Sequence, residues 1–336
     1  MISKRDVWFC YGFGAFLHIW NSIVSRRFFF YTVNNPSMFY SGAFLDNKSE
    51  LLSNLSPRIV PKGFSHKGCI EKLPKEIDFP VIAKPEMGVG GLGIKKCNNL
   101  LELNTYMSIS GNVAVRIESF VERAMEFGVM FYYYPETGTS EVSIIEKRYP
   151  RVIGDGQSTL DELVNFATLK NKFIRRDEVK RRLLHSLNTV VEKGEVVILD
   201  YVGNASNGSS FHSINESINH NKLKKFLVEE LYAQAGICFT RMDIKANSAK
   251  DLLNGDFIII EHNGVKSQPL NIYIKEGTLI SRYGAYKHHW RSMRLISDQQ
   301  RALGHQTISF NEGIREFFRQ KVKFKNISAA MSIEKE

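Results

Sequence analysis

Two stretches, FTRMDI (239–244) and FIIIEHNG (257–264), hold the residue types best suited to chemistry. Side chains alternate along a strand, so Arg241 and Asp243 share one face, and Glu261 and Asn263 share one face. If the two strands pair as a hairpin, Asp, Glu and Asn oxygens converge beside a guanidinium. Hard oxygen ligands of this kind suit Mg²⁺, which usually shares its coordination with substrate phosphates. Asp243, Glu261 and Asn263 are therefore the candidate metal ligands. Arg241 is placed to stabilise charge on a transferring phosphoryl group. Taken alone, the same residues equally suit a surface hairpin with cross-strand ion pairs. His262 alternates to the opposite face, where it packs or meets solvent.

A second constellation is VIAKPEMGVGGLGI (81–94). Lys84 ends a predicted strand, and Gly88, Gly90, Gly91 and Gly93 follow it closely. Glycines let backbone N–H groups approach phosphate oxygens, and the lysine adds a point charge. No G-K-[ST] follows, so this is not a Walker A loop. A strand rather than a helix comes next, which excludes a dinucleotide fingerprint. A glycine hairpin closing over a phosphate remains, beside the plain alternative of a loop whose turns need glycine.

Lys-Pro with a glycine loop, followed at a distance by Arg-x-Asp and Glu-x-Asn on adjacent strands, resembles the ATP-grasp superfamily. The order and spacing are similar to those of the D-alanine–D-alanine ligases, over about residues 47 to 275. RVIGDGQSTLDELV (151–164) and GNASNGSSFH (203–212) resemble the branch containing cyanophycin synthetases. NNPSMFYSGAFLDNKSELL (34–52) and EHNGVKSQPLNIY (261–273) resemble a loosely annotated bacterial ATP-grasp group.

The resemblance implies further site residues. Lys48 and Lys84 would be the two nucleotide lysines, Glu118 would lie where the interlobe strand meets adenine, and Glu126 would take the ribose hydroxyls. Lys147, ending VSIIEK, would reach the transferred phosphate. It also implies ATP and Mg²⁺ as cofactors and a carboxylate–amine (or carboxylate–thiol) ligase working through an acyl phosphate, with release of ADP and phosphate. The alternatives are a small-molecule kinase on the same fold, and an inactive nucleotide-binding protein at a membrane surface. One departure is plain: only about fifty residues precede Lys48, and they are apolar, where the family usually has a full N-terminal domain.

The elements that must position these residues read as mixed strand and helix without regular βαβ alternation. An α+β fold of two lobes gripping ATP is expected, rather than a doubly wound sheet. The predicted organisation is an apolar N-terminal segment (1–46), a small lobe with the glycine loop (47–121), a large lobe with the metal site (122–325) and a frayed tail (326–336). FFFYTV (28–33) reads as a β-rich run, and Thr159-Leu-Asp-Glu162 as a capping box opening a helix. Residues 170–187 read as one basic helix and 221–235 as an amphipathic helix. The two metal-site strands read as joined by a polar turn, and residues 299–325 as helical.

Composition bounds the rest. The chain has 336 residues, 43% apolar and 24% charged, which is ordinary for a globular protein. Its net charge of +10 suits an anionic partner: a nucleotide, a nucleic acid or an acidic membrane face. No aromatic–basic module of the nucleic-acid-binding kinds is present, and no nucleic-acid partner is expected. The four cysteines lack zinc spacing and read as free thiols of a cytoplasmic protein. VWFCYGFGAFLHIWNSIV (7–24) is apolar and aromatic, with Lys4, Arg5, Arg26 and Arg27 flanking it. No small-residue cleavage site follows it. It suits either a segment of residues 1–30 lying on the anionic inner membrane face or a helix packed against the lobes.

Overall fold

Strand alternation and helix caps account for most of the architecture. The computed structural model describes residues 4–88, 91, 93–201, 203–214, 219–274 and 277–332, with side chains from residue 12 to residue 330. In chain order come α1 (Lys4–Ser25), α2 (Lys48–Ser53), β1 (Gly63–His66), β2 (Val81–Pro85), β3 (Lys95–Cys97), α3 (Leu100–Ser110), β4 (Val115–Ser119), β5 (Met125–Tyr134), β6 (Thr139–Arg148) and β7 (Arg151–Ile153). Then follow α4 (Leu160–Lys170), α5 (Arg176–Arg182), β8 (Val196–Ile198), β9 (Ser210–Ser213), α6 (Asn221–Leu227), β10 (Phe239–Ala246), α7 (Ala249–Asn254), β11 (Ile258–Asn263), α8 (Leu279–Ala302) and α9 (Phe310–Ser332).

Two antiparallel sheets frame the cleft. The smaller has the order β1–β4–β2–β3, and the larger the order β11–β10–β5–β6–β9. Helices and sheets are segregated, which is the expected α+β arrangement. The large sheet owes its core to alternation: Met242, Ile244 and Ala246 of β10 point into it, while Arg241, Asp243 and Lys245 point the other way. The small sheet packs Val81, Ala83, Val115 and Ile117 against Leu103, Tyr106 and Met107 of α3. A third cluster, around Val152, Leu160, Val164 and Leu199, holds the β7–β8 pair to α4 and α5.

The segment before α2 is integral to the large lobe. The buried Asn35 side chain accepts from the backbone N–H of Cys238 (2.9 Å) and of Phe239 (2.8 Å) and donates to Phe239 O (2.7 Å). Phe30 and Met38 lie in the same core as β5 and β10. Leu51 and Leu52 of α2 join that core too, so this helix packs under the large sheet, whereas the small sheet begins at Gly63.

Several expectations are corrected. Residues 28–33 form no strand. Phe30–Val33 is a 3₁₀ turn; Phe30 enters the core, while Phe28, just before the turn, packs on Phe310 at a ring distance of 5.4 Å. The basic helix across 170–187 is broken: α4 ends at Lys170 and α5 spans only Arg176–Arg182. The amphipathic helix at 221–235 changes pitch, with Val228–Ala233 wound as a π-helix. The polar turn between β10 and β11 contains α7, which Ser248 caps by accepting from Asp251 N and Gly255 closes in the left-handed region. The C-terminal helical run is interrupted between α8 and α9. The tail expected to fray from residue 326 is helical through Ser332, and Ile327 packs on the small-lobe core. The capping box at Thr159 and Glu162 is formed.

Candidate active site between the two sheets

β10 and β11 pair antiparallel, with Asp243 opposite Glu261 and Arg241 opposite Asn263. Their alternation then fixes which side chains meet: all four line a cleft of 900 Å³ between the two sheets. The register slips after Asp243, so that Ile244 faces Ile259 and Ile260 is left over as a bulge. Bulges re-aim neighbouring side chains. Here the slip also frees the Ile260 carbonyl, which accepts from Lys84 Nζ at 3.1 Å. Lys84 sits on β2, so this bond crosses from the small sheet to the large one.

The floor of the cleft is a chain of buried charges. Lys147 on β6 lies 2.8 Å from Asp243 Oδ2 and 3.0 Å from Glu126 Oε1 on β5. Burial pulls the Lys147 ammonium down, but Asp243 and Glu126 pull harder and hold it above the usual lysine range. Burial pushes the Asp243 carboxyl up, yet Lys147 and Arg241 bring it below the usual carboxylate value. Arg241 Nε stands 3.5 Å from Asp243 Oδ1, an oxygen that is buried and accepts no hydrogen bond among the described residues. Glu126 also accepts from the Tyr149 hydroxyl, and Lys245 lies 4.0 Å from it. Gly203 passes so close that a Cβ there would run into the Glu126 carboxylate, which Lys147 and Tyr149 hold in place, so glycine suits that point.

The opposite wall is also basic. Lys84 is 2.5 Å from Glu118, which in turn is 2.6 Å from Arg116. Glu118 thus lines the cleft with its carboxylate shared between two cations. Lys48, at the start of α2, donates to the carbonyls of Pro85 (3.0 Å) and Gly88 (3.4 Å). Gly88 lies beside it, with Glu261 and Asn263 across a narrow gap. Gly91 lines the cleft. Gly93 does not: its carbonyl accepts from the Tyr106 hydroxyl behind the hairpin. Gly90 lies outside the described residues. His262 packs, as one of its two anticipated positions required. Burial holds its ring in the neutral form, and Nε2 is 2.8 Å from Leu51 O.

Sequence reasoning missed several neighbours. Lys245 follows Asp243 by two on the same strand face, so alternation alone could have found it. Tyr149 had no local signal. Lys266 and Asp46, paired at 2.7 Å beside Lys48, meet only in the folded chain.

Among the described residues no three His, Cys, Asp or Glu group as a metal cage. The candidate set is instead two carboxylates and an amide, which fits Mg²⁺ completed by water and phosphate oxygens. Two carboxylates directly opposite each other repel unless a cation lies between them, and Asp243 Oδ1 is left without a hydrogen-bond donor. Both observations agree with a divalent cation at this point.

Lys48 offers a pH test. Burial chiefly, with Lys84 and Lys266 adding to it, pushes its ammonium down to about 8, against the pull of Glu261. Phosphates favour the charged form. The Lys48 contribution to nucleotide affinity should therefore be constant below that pH and fall by up to about tenfold per pH unit above it. Lys48→Arg, charged throughout, should remove the break. Calorimetric titration of ATP across the range checks this, and an unbroken wild-type profile would count against phosphate contact by Lys48.

No family model matches the sequence, and no curated protein matches it. Among solved structures the chain is similar to a bifunctional glutathione synthetase from Pasteurella multocida, with 16% identity, 74% of this chain and 35% of that chain covered, and a TM-score of 0.40. It is similar also to a D-alanine–D-alanine ligase from Bacillus anthracis (13% identity, 76% and 67% covered, TM-score 0.42). A third is the VanG D-Ala:D-Ser ligase from Enterococcus faecalis (13%, 74% and 60%, TM-score 0.39). The chain spans about a third of the length of the first of these. Likeness at these scores says nothing of this chain's activity.

Proposed function

We propose that the protein is an ATP-dependent ligase that activates a carboxylate as its acyl phosphate and passes the acyl group to an amine. The observation that carries this reading is the β10–β11 register, which sets Asp243 against Glu261 and Arg241 against Asn263 beside the buried Lys147. Lys48 and Lys84 face this floor from the other wall, so cations flank the path of a triphosphate on both sides. Ile82, Phe120 and Val121 give an apolar end suited to a purine. Glu126 would meet the ribose and Glu118 the adenine edge, each having to share a carboxylate that is already ion-paired. Asp243, Glu261 and Asn263 would hold Mg²⁺, which supplies charge neutralisation on the phosphates when bound.

The chemistry then needs positioning more than a protein nucleophile. A substrate carboxylate oxygen attacks the γ-phosphorus and ADP leaves. The amine attacks the acyl carbon, loses a proton, and phosphate leaves. Lys147 and Arg241 would stabilise the charge that develops on the transferring group. The glycine hairpin closing over the cleft would keep water from the acyl phosphate. The test is ADP release with hydroxylamine as acceptor, across amino acids, peptides and lipid-linked acids. Hydroxamate formed in step with ADP supports ligation. A stable phosphorylated product in its place would make the protein a kinase, and no nucleotide turnover with any acid would defeat both.

A membrane surface forms part of the proposal. α1 packs one face on α8, with Phe13 4.2 Å from Tyr283 ring to ring and Leu17 beside Tyr286 and Ile272. Its other face leaves Phe16, Ile19, Trp20 and Ile23 more than half exposed. Phe28 continues this surface to Phe310 of α9, whose Phe317, Phe318 and Val322 are exposed as well. Arg26 and Arg27, at the end of α1, and Lys321, Lys323 and Lys325, on α9, are exposed too. Apolar side chains rimmed by cations match an anionic bilayer surface. No helix among the described residues is long and apolar enough to cross a membrane, so docking would be peripheral. The protein should float with anionic vesicles at low salt and release at high salt, and Trp20→Glu with Ile23→Glu should abolish flotation. If the wild type stays in the soluble fraction, the membrane partner is wrong.

A further inference from the structure

The loop after β11 presents two anchored donors to the cleft. Lys266 lies three residues beyond Asn263, a reach of at most about 10 Å, and its side chain is 22% exposed. Its ammonium donates to Phe44 O at 2.8 Å and to Asp46 Oδ2 at 2.7 Å, which holds it in place and leaves one N–H unpaired among the described residues. Gln268 follows two residues later and is half-buried. Its Oε1 accepts from the Tyr273 hydroxyl at 2.8 Å, which leaves the amide N–H₂ unpaired among the described residues, on an atom that solvent can reach. Both side chains line the cleft, and no Asp or Glu occurs between Asn263 and Tyr273.

The charge of the cleft calls for more anion than a nucleotide brings. Among the described residues nine cationic side chains line it against five carboxylates, an excess of four. ATP with one Mg²⁺ brings about two net negative charges, and an acid with a single carboxylate about one more. One positive charge is then left over, in a partly enclosed site where unpaired charge is costly. A second anionic group on the acid balances it. Arg241, opposite Asn263 in the strand pair, suits the carboxylate that reacts, while Lys266 and Gln268 offer one charged and one neutral donor to the other end. The same loop supplies Leu270 and Tyr273, which pack with Phe211 and give the cleft an apolar wall for a short carbon chain.

We propose that the acid this protein activates carries a second anionic group, as a short-chain dicarboxylate does, and that Lys266 and Gln268 hold that far group. The inference rests on the ligase reading for the fate of the near carboxylate. The far group only binds, and no bond to it forms or breaks.

Calorimetry with glutarate and adipate tests the subsite, with pentanoate and hexanoate as monoacid controls of matched length, each with and without Mg²⁺ and a non-hydrolysable ATP analogue. At least one diacid should bind at least about tenfold more tightly than its matched monoacid. Gln268→Glu, nearly isosteric and half-buried, should reduce that preference at least about tenfold by repelling the far carboxylate, with monoacid affinity unchanged. Lys266→Met combined with Asp46→Asn, which avoids stranding a buried carboxylate, should do the same. Neither variant should change affinity for the ATP analogue by more than about twofold, which also reports that each is folded. Should the double variant fail to fold, Gln268→Glu decides. No preference for a diacid in the wild type, or a preference that survives in folded Gln268→Glu, overturns the proposal. Lost affinity for the ATP analogue with diacid binding intact would make Lys266 a phosphate ligand and overturn it too. A diacid that binds selectively but yields neither ADP nor hydroxamate would defeat the ligase reading and leave the subsite standing.

Discussion

Glu261→Gln should lower kcat by roughly 100- to 1,000-fold, the scale set by losing one electrostatic partner of a transferring group. The substitution conserves volume and removes one negative charge. Glu261 is only half-buried, and its neighbour across the strand pair, Asp243, keeps its bond to Lys147. The fold should therefore be unchanged, with the same melting midpoint, while the Mg²⁺ concentration needed for half-maximal rate rises. Asp243→Asn is a poorer test, because it also strips a buried cation of its partner. Activity equal to wild type at limiting Mg²⁺ would remove Glu261 from the metal set.

Lys147→Met should be the most destabilising single change in the cleft. The ammonium sits between Asp243 and Glu126, and all three groups are buried. Removing it leaves two carboxylates in low dielectric with too little counter-charge. Breaking a buried ion pair in this way costs on the order of 3–5 kcal/mol. The sign with pH follows from the same picture. Asp243 is held below its usual value by Lys147 and Arg241, so in the wild type its ionised form is stabilising at neutral pH. In the variant the ionised pair is the source of the deficit, and acidification that protonates it should narrow the gap to wild type. Chemical denaturation at neutral and acidic pH measures both. An unchanged midpoint at neutral pH would mean that the buried triad contributes nothing to stability.

The strands of the candidate metal site were the most legible part of the chain, for a local reason. Strand periodicity places Arg241 with Asp243 and Glu261 with Asn263 from sequence alone, and their antiparallel pairing brings the two sets together. The bulge at Ile260 was not legible, since nothing in FIIIEHNG marks which residue drops out of register. α8 shows why other elements escaped notice. Its buried stripe includes Arg282, His289, Ser292, Ser297 and Gln300, so a search for apolar residues at helical spacing finds little. Ser292 and Ser297 face Tyr134 and Phe30 O, partners known only once the fold exists. FFFYTV misled for the opposite reason. Its β-forming residues lie consecutively, and packing gathers Phe28 and Phe29 together on Phe310 while Phe30 turns into the core, rather than sending neighbours to alternate faces. Tyr149, Lys266 and Asp46 reach the site across tertiary contacts that leave no periodic trace.

The clasp of Asn35 on the start of β10 also bears on the order of events during synthesis. Its partners Cys238 and Phe239 lie 203 and 204 residues further along the chain. Contacts so distant in sequence carry a loop-closure cost and form late. On a ribosome, the segment around Asn35 emerges long before the strand it fastens, with Phe30 and Met38 waiting for the same core. Throughout that interval the aromatic α1 has no α8 to pack against. The helix that ends with one face on α8 and the other outward begins with both faces bare, so a bilayer or a chaperone is available to it before its own protein is.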